Sequence, residues 1–217
     1  MVIVQNMAWY FPVIMAVAQG ERAVANWDED ALSMAVAAAW DCMTGRDRKA
    51  LDAVYLASTT LPFADRLHAG ILAAALNAPE EGVVNADFTS CQKAGTTAVI
   101  AALDALAAGK RSQVLVAAAD LKRTKQATMQ EMFVGDGAAA LLLGADDVIA
   151  RFIDSYSLNC DFIDHYRGCG KDFDYTWEER WVRDEGYGKI IPQAIAGFLK
   201  QTGLAIADQL GIAPAEA

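Results

Sequence analysis

A single cysteine, Cys91, lies in the segment 89–97 (TSCQKAGTT), between an apolar run typical of a strand and a long alanine-rich run typical of a helix. The sequence predicts a strand over 83–88 and a helix over 91–110. Unpaired N–H groups and the dipole at a helix N-terminus favour an anion. We therefore expect the sulfur of Cys91 to be partly ionised there and able to attack a carbonyl carbon.

Lys93 lies in the same predicted first turn, where its positive charge would further favour a nearby thiolate. Most free cysteines are instead small buried hydrophobic residues, and the local sequence leaves that interpretation of Cys91 open. A second segment, 133–144 (FVGDGAAALLLG), places Gly135 and Gly137 on either side of an aspartate before a run of small and aliphatic residues. Glycines there permit close approach of neighbouring chain, although a hairpin turn alone would also explain the segment.

Together, in this order, the two segments resemble the thiolase superfamily of condensing enzymes. The chain is most similar to 3-hydroxy-3-methylglutaryl-CoA synthases of the archaeal and bacterial kind, and next to ketoacyl-ACP synthase III. The similarity runs from about residue 21 to residue 203 and is also visible in residues 23–32 (AVANWDEDAL), 53–63 (AVYLASTTLPF) and 113–120 (QVLVAAAD). It implies that Cys91 is acylated by an acyl-CoA thioester, with no cofactor, before a second acyl unit forms a carbon–carbon bond.

Alternating strand and helix signals predict an α/β protein with a mostly parallel sheet, which the resemblance specifies as a thiolase-like fold with helices on both sheet faces. For residues 1–144 we predict a five-stranded mixed sheet, with the Cys91 helix buried at its centre because it is apolar nearly all round. The further predicted elements are strands over 2–7, 53–58, 114–119 and 138–143 and helices over 30–43 (capped by Asp28), 64–76 and 188–202.

The resemblance divides the chain into two parts. Residues 1–144 match a complete first thiolase-like half with Cys91 as nucleophile, and 145–217 match the start of a second half that opens with a strand over 148–156. In the family the second half supplies a histidine, and usually an asparagine or a second histidine, each expected to contribute roughly 10²–10⁴-fold to the rate. Neither His68, expected at the surface or at the boundary of the core, nor His165 matches those positions.

A second departure concerns the type of reaction. In 3-hydroxy-3-methylglutaryl-CoA synthases the strand end that matches 55–63 has a glutamate that acts as general acid and base in the aldol step. This chain has Ser58, Thr59 and Thr60 there, and a hydroxyl cannot replace a carboxylate in proton transfer near pH 7. The sequence leaves aldol condensation, Claisen condensation and thiolysis open. We expect Thr59 to bind substrate or shape the site, together with Lys93, Gly135 and Gly137.

Residues 161–189 form an acidic and aromatic segment that is unlike the rest of the chain. One interpretation is a solvated excursion whose aromatic side chains pack back on the body of the protein. The other is an insertion that contributes to a substrate tunnel or to a subunit contact, because aromatic residues are enriched at interfaces.

Composition limits the classes of function. Apolar residues make up 54% of the 217-residue chain, and the net charge of −10 argues against nucleic acid as a partner. Residues 1–20 are too short to span a bilayer and lack the basic start of a signal peptide, so we expect a cytoplasmic protein without a membrane partner. The other cysteines (Cys42, Cys160 and Cys169) form no CxxC pair, which favours free thiols and no metal site.

The leading hypothesis is an acyl-CoA acyltransferase. The main alternative is a catalytically incomplete half-enzyme: a truncated product, or a subunit completed by a second-half chain. A ketoacyl-ACP synthase is a further alternative, disfavoured because acyl carrier protein is itself acidic. By resemblance we expect a homodimer, with 113–120 as a candidate edge strand at its interface, and an OB-fold/zinc-ribbon companion protein as a possible partner.

Overall fold

The computed structural model describes residues 3–10, 13–17, 20–146 and 148–203. The chain divides into two compact units, Met1–Phe152 and Ile153–Ala217, and the boundary between thiolase-like halves at residue 144 stays a prediction. In the described part of the chain, no helix combines the length and the apolar character that crossing a membrane requires.

The first unit is built from eight strands and four α-helices within the described residues. The strands are β1 (Ile3–Tyr10), β2 (Val13–Val17), β3 (Gly20–Val24), β4 (Ala53–Ala57), β5 (Val84–Phe88), β6 (Val114–Asp120), β7 (Gly137–Gly144) and β8 (Ala150–Arg151). The helices are α1 (Ala31–Cys42), α2 (His68–Ala75), α3 (Ala94–Ala107) and α4 (Met129–Phe133). Six strands form one sheet in the order β5-β4-β6-β7-β1-β8, and β2 and β3 form a separate antiparallel hairpin that the sequence analysis did not predict.

Strand pairing refines the predicted sheet. The neighbouring pairs β5–β4 and β4–β6 are parallel, whereas β7 is antiparallel to both β6 and β1, and β8 is antiparallel to β1. Four of the five strands within residues 1–144 therefore share one direction, and the predicted mixed five-stranded sheet is confirmed, but β7 makes half of its neighbour pairs antiparallel. An uninterrupted apolar run indicates burial on both faces of a strand but contains no information on direction. The link from β6 to β7 contains only the five-residue helix α4, so these neighbours pair antiparallel.

The position of β6 overturns a second prediction. Residues 113–120 were expected at the edge of the sheet, but β6 lies between β4 and β7, and Val114–Ala117 of this strand are fully enclosed. The apolar run reflects burial inside the sheet. The sheet edges are β5 and the two-residue strand β8. The predicted strand over 148–156 is likewise reduced to Ala150 and Arg151.

Helices cover both faces of the sheet, as predicted. Met34 of α1 and Leu72 of α2 pack with Leu56 and Leu115 on one face. On the other face Ala98 and Ala102 of α3 join a smaller cluster with residues of β4 and β6. The alanine row of α3 is therefore the face that packs on the sheet.

Local signals fix where α1 and α3 begin. The carboxylate of Asp30, not Asp28, caps α1: it accepts a hydrogen bond from Ser33 N at 2.7 Å, and Ser33 Oγ accepts one from Asp30 N at 2.9 Å. The helix predicted from Cys91 begins at Ala94 and ends at Ala107. It is buried on one face only in this chain, since Thr97 and Asp104 are exposed. Central burial of α3 stays a prediction for a complete assembly.

The second unit contains two short paired strands and one long helical stretch. Its elements are β9 (His165–Tyr166), β10 (Tyr175–Thr176), α5 (Glu179–Trp181), a π-helical turn (Val182–Tyr187) and α6 (Gly188–Thr202). The bounds of α6 agree with the predicted helix over 188–202. Five aromatic rings of the acidic segment contact one another in the series Tyr166, Tyr175, Trp177, Trp181 and Phe162, with centroid separations between 4.7 and 5.9 Å. The aromatic side chains of this segment thus pack largely on one another.

Asp164 fixes this segment to the helical stretch. Its carboxylate accepts hydrogen bonds from Tyr187 Oη at 2.7 Å and from His165 N at 2.7 Å, and its Oδ1 lies 2.6 Å from His165 Nδ1. Burial is the largest single influence and raises the pKa of Asp164, but the bonds from Tyr187 and His165 together outweigh it, so the pKa lies below its usual value. The same bond to Asp164, followed by burial, raises the pKa of Tyr187.

The lowered pKa of Asp164 predicts how the stability of segment 161–189 depends on pH. A lowered carboxyl pKa stabilises the folded segment above the unfolded-state pKa of about 4, and this contribution is lost as pH falls through the lower folded-state value. Protection of peptides from 161–189 against hydrogen exchange, corrected for intrinsic rates, should therefore decrease below about pH 4. Asp164→Asn should lower the protection at pH 7 and remove the decrease in protection below about pH 4. Asp161 is exposed and offers the matched control. Asp161→Asn should leave unchanged both the protection at pH 7 and its decrease below about pH 4. If Asp164→Asn still lost protection below about pH 4 as the parent chain does, the assignment to Asp164 would be contradicted.

Candidate active site

A cavity of about 360 Å³ opens at the carboxyl ends of β4 and β6 in the first unit. Its walls come from β1, from these two strand ends, from the start of α3 and from the start of β7. The lining residues are Trp9, Ala57, Ser58, Thr59, Cys91, Gln92, Ala94, Gly95, Ala118, Ala119, Asp120, Gly137, Ala138 and Ala139. Of the residues selected from sequence, Cys91, Thr59 and Gly137 line this cavity, whereas Lys93 and Gly135 do not.

Cys91 lies in the tight turn between β5 and α3. The turn leads directly into the helix, because Ala94 N donates to Cys91 O at 3.0 Å and Thr97 N donates to Lys93 O at 2.9 Å. The Cys91 side chain is exposed at the cavity. Lys93 is the N-cap residue of α3 and is exposed, without a side-chain capping bond. The geometry therefore presents the sulfur to a ligand in front of the helix.

The residue before the nucleophile candidate has an unusual backbone conformation. Ser90 has φ +72°, which lies in the left-handed region that residues other than glycine rarely adopt. Such a conformation costs on the order of 1–3 kcal/mol and persists where the surrounding structure imposes it. This turn directly precedes Cys91, which lines the cavity.

Asp120 organises the wall of the cavity that contains Thr59. Its Oδ1 accepts hydrogen bonds from Thr59 N at 2.7 Å and Thr59 Oγ1 at 3.0 Å, and from the hydroxyls of Ser58 at 3.1 Å and Thr60 at 3.0 Å. Leu121 N in turn donates to Thr60 Oγ1 at 2.9 Å. This network joins the end of β4 to the end of β6. Asp120 was not among the residues selected from the sequence, although a single carboxylate at the end of an apolar strand was a signal that could have indicated it.

A second aspartate, Asp136, explains the Gly-Asp-Gly segment. Its two carboxylate oxygens accept from Ala25 N at 2.9 Å and from Lys122 N at 3.0 Å, and Asp136 N donates to Ala23 O at 2.9 Å. Gly135 lies against the backbone of Ala23, where an added Cβ would be 3.3 Å from the carbonyl oxygen. The segment therefore fastens the chain after β3 and the chain after β6 to the start of β7, and Gly135 has a packing role.

His68 corrects another expectation. It was expected at the surface or at the boundary of the core, but its side chain is only 2% exposed, and its Nδ1 lies 2.9 Å from Asp87 Oδ2. Phe63 N donates to His68 Nε2 at 3.2 Å, which leaves Nδ1 to donate to the carboxylate. Asp87 also accepts from the backbone N–H groups of His68 and Ala69, both at 2.7 Å, and so satisfies the start of α2. Both nitrogens of this imidazole have structural partners, and the ring does not line the cavity.

The remaining cysteines differ from Cys91 in their surroundings. Cys42 is fully buried at the end of α1, and this burial raises the pKa of its thiol to about 11. Cys160 and Cys169 are exposed, but both belong to the second unit. Within the described residues, no three side chains of histidine, cysteine, aspartate or glutamate lie together as metal ligands would. The cavity thus offers a thiol, hydroxyl groups and one carboxylate as its reactive groups.

These features define a class of protein: the chain has a thiolase-like fold, with a cysteine in the turn after β5, the outermost of the three strands that pair in parallel. A crystal structure of HMG-CoA synthase complexed with CoA superposes with a TM-score of 0.82 over 95% of this chain and 58% of that chain, at 17% identity. The 3-oxoacyl-(acyl carrier protein) synthase III from Pseudomonas aeruginosa gives a TM-score of 0.77 over 93% of this chain and 71% of its own, also at 17% identity. At such identities the likeness establishes the fold.

Sequence comparison is more specific than the fold. The chain is a homologue of hydroxymethylglutaryl-CoA synthases, and the resemblance seen in the sequence is confirmed. The synthase of Methanocella arvoryzae is 32% identical over 184 residues, which are 84% of this chain and 52% of that relative. The chain spans about half the length of the curated relatives it matches. No protein-family profile matches the chain.

The Ser90 turn supports a prediction on the placement of Cys91. Ser90→Gly should keep the rate of Cys91 alkylation within about twofold and the free energy of unfolding within about 1 kcal/mol, because glycine adopts positive φ readily. Ser90→Val should lower the free energy of unfolding by about 1–3 kcal/mol and change the alkylation rate, because a β-branched side chain is strained there. Urea denaturation and peptide mass mapping measure the two quantities. Ser112→Val, at an exposed loop serine, is the control, and equal effects of Val at both positions would contradict the role of the turn.

Proposed function

We propose that this chain provides the acyl-accepting half of an acyl-CoA condensing enzyme, with Cys91 as the residue that is acylated. The observation that supports it is the exposed sulfur of Cys91, in the turn between β5 and α3, at the wall of a cavity large enough for a small acyl group. Homology to hydroxymethylglutaryl-CoA synthases supports an acyl-CoA as the substrate. No metal or cofactor takes part in the proposed step.

The proposed reaction is a thioester exchange. The sulfur of Cys91 attacks the carbonyl carbon of the acyl-CoA, and a new sulfur–carbon bond forms. The bond between that carbon and the CoA sulfur breaks, and CoA leaves as the free thiol with the proton that Cys91 gives up. Thr59 and Gly137 shape the cavity around the acyl group, and the Ser90 turn positions the sulfur.

Brief exposure to acetyl-CoA followed by peptide mass mapping tests the acylation. Cys91 should be acetylated at least about tenfold faster than exposed Cys160 and Cys169, with a rate that saturates with acetyl-CoA, because the cavity binds the acyl group beside the sulfur. Cys42 should stay unlabelled in the folded protein, since it is buried and its pKa is raised to about 11. Cys91→Ser should abolish the fast label, while Cys169→Ser should leave it intact. An even label over the three exposed cysteines, or none on Cys91, would reject the proposal.

Condensation is expected to require more than the residues described above. Neither His68 nor His165 lines the cavity, and the turn at 58–60 has hydroxyls where a glutamate would perform the aldol step. We propose that the remaining catalytic groups belong to the other thiolase-like half, on this polypeptide or on a second one. The half-length match to the synthases supports this view. Aldol condensation, Claisen condensation and thiolysis all stay open as the second step.

Adding the other half as a separate polypeptide tests whether the remaining catalytic groups belong to it. With acetyl-CoA and acetoacetyl-CoA, the 217-residue chain should accumulate acetyl-Cys91 but form no condensed CoA product, as judged by mass spectrometry. Adding a polypeptide that covers the unmatched half of the Methanocella arvoryzae synthase should produce turnover, and the same mixture with Cys91→Ala should not. Turnover by the chain alone would show that it needs no second half. Complete acylation without turnover in any mixture would favour a catalytically incomplete half-enzyme.

Partners and location stay proposals as well. We propose a homodimer that forms through β5, because β5 and not β6 is the long strand at the edge of the sheet, and an unpaired edge favours strand addition. The OB-fold/zinc-ribbon companion protein rests on resemblance alone. A cytoplasmic location is supported by four cysteines that are all free.

A further inference from the structure

His68 joins two of the chain segments that lead to the cavity through one buried imidazole. Its Nδ1 donates to Asp87 Oδ2 at 2.9 Å, and its Nε2 accepts from Phe63 N at 3.2 Å. Asp87 belongs to the end of β5, shortly before Cys91, and Phe63 belongs to the loop after β4, shortly after Thr59. The imidazole therefore connects the strand that leads to the Cys91 turn with the loop that provides Thr59.

The bond from Phe63 N is the hydrogen bond on which this loop depends. Residues 62–67 are exposed and form no regular structure. In the part of the chain that the structure describes, residues 61–67 take part in no hydrogen bond except the one to His68. The turn before them is held by Asp120, and α2 begins directly after them. An exposed segment with so few bonds opens easily when one of them is lost.

The geometry requires a neutral imidazole. A backbone N–H can only donate, so Nε2 of His68 must be the ring nitrogen without a proton. Asp87 keeps the ring proton on Nδ1, and its carboxylate also accepts from His68 N and Ala69 N, both at 2.7 Å, which fixes the ring at the start of α2. A second proton would place an N–H at Nε2 against the N–H of Phe63, and the bond to the loop would be lost.

The surroundings of the imidazole limit which groups can respond to mild acid. Asp87 of β5 is the charged residue in contact with the ring within the described chain. The Phe63 ring stacks on the imidazole at 5.7 Å between centroids, and the Arg66 guanidinium lies 5.5 Å from the Phe63 centroid. Of the titratable side chains on β4 and α1, Tyr55 packs in the cluster on the other face of the sheet, and burial raises the pKa of Cys42 to about 11. Histidine is the side chain type here that gains charge between about pH 8 and pH 5.

We propose that His68 is a positioning residue for the acylation of Cys91: its neutral imidazole holds the loop after β4 to the end of β5 and so keeps Thr59 at the cavity wall. This role rests on the proposed acylation of Cys91. His68 does not touch the acyl group, since its side chain is 2% exposed and lies outside the lining. Protonation of the imidazole releases Phe63 N, loosens the loop and weakens the binding of acyl-CoA, while the Cys91 sulfur itself stays reactive. Loss of one such hydrogen bond should weaken binding about 3- to 10-fold.

Two amide variants separate the roles of the two ring nitrogens. The longer side chain in His68→Gln reaches the position of Nε2, where its carbonyl oxygen can accept from Phe63 N and gains no proton in mild acid. The shorter side chain in His68→Asn reaches only the position of Nδ1, where its amide can donate to Asp87 but offers Phe63 N no acceptor. A positioning role through Phe63 predicts that Gln replaces His68 better than Asn does. A role confined to the bond with Asp87 predicts the reverse.

The measurement is the acetyl-CoA concentration that gives half of the maximal Cys91 acetylation rate, determined by peptide mass mapping. Alkylation of Cys91 by iodoacetamide at the same pH reports the reactivity of the sulfur and should not differ between the variants. At about pH 8, His68→Asn should raise the half-saturating concentration about 3- to 10-fold, and His68→Gln should stay within about twofold of the parent chain. On acidification to about pH 5 the parent value should rise about 3- to 10-fold relative to that of His68→Gln. Asp65→Asn, which removes an exposed carboxylate in the same loop, is the control and should follow the parent.

Two results would overturn the positioning role while leaving the acylation itself intact. One is a half-saturating concentration that rises more in His68→Gln than in His68→Asn. The other is a parent chain whose value does not rise relative to His68→Gln on acidification, and this comparison decides even if His68→Asn does not fold. Absence of any acetyl label on Cys91 in the parent chain would instead reject the proposed function, and the role of His68 with it.

Discussion

The parallel pairing of β5, β4 and β6 is the constraint on which the candidate site depends. Parallel strands end at the same edge of a sheet, so the turn after β4, the turn after β5 and the end of β6 meet there. The first contributes Thr59, the second Cys91 and the third Asp120. These residues are far apart in sequence, and the antiparallel part of the sheet closes the cavity from the side with Gly137 of β7 and Trp9 of β1. A change in the register of β4 would move Thr59 relative to Cys91 and Asp120.

Three aspartates, each next to the end or beginning of a strand, stabilise the loops at this edge. Asp87 accepts backbone hydrogen bonds at the start of α2, Asp120 accepts from the turn after β4, and Asp136 accepts from the chain after β3 and after β6. Each carboxylate satisfies N–H groups that would otherwise lack partners in partly buried surroundings. Carboxylates suit this role because both oxygens accept and neither donates. The loops around Cys91 are therefore positioned by charged hydrogen bonds, although the surrounding core consists mainly of alanine, leucine and valine.

Much of this arrangement could be predicted from the sequence, and the errors have physical causes. Apolar runs and alanine-rich stretches located β4, β6, β7 and α3 within a few residues, because burial imposes those compositions. The order of the strands and the antiparallel pairing of β7 could not be predicted, since they depend on which strands are neighbours, and the missing order placed β6 at an edge. Cys91, which lines the candidate cavity, could be selected from the sequence because its turn has a local pattern. Asp120 and the burial of His68 escaped because both depend on partners about 60 and 19 residues away, which no local pattern specifies.

In the helical stretch of the second unit, two glycines leave space that aromatic rings fill. Phe162 packs directly on Gly186 and Tyr156 on Gly197, and a Cβ at either glycine would overlap the ring. Eleven residues correspond to about three helical turns, so the two notches lie on nearly the same face of the helix. The length of the intervening helix is consequently as important as its composition: inserting or deleting one residue between the glycines would rotate one notch by about 100° and leave one ring facing a side chain. In this stretch, point substitutions at exposed positions should accumulate far more readily than changes in length.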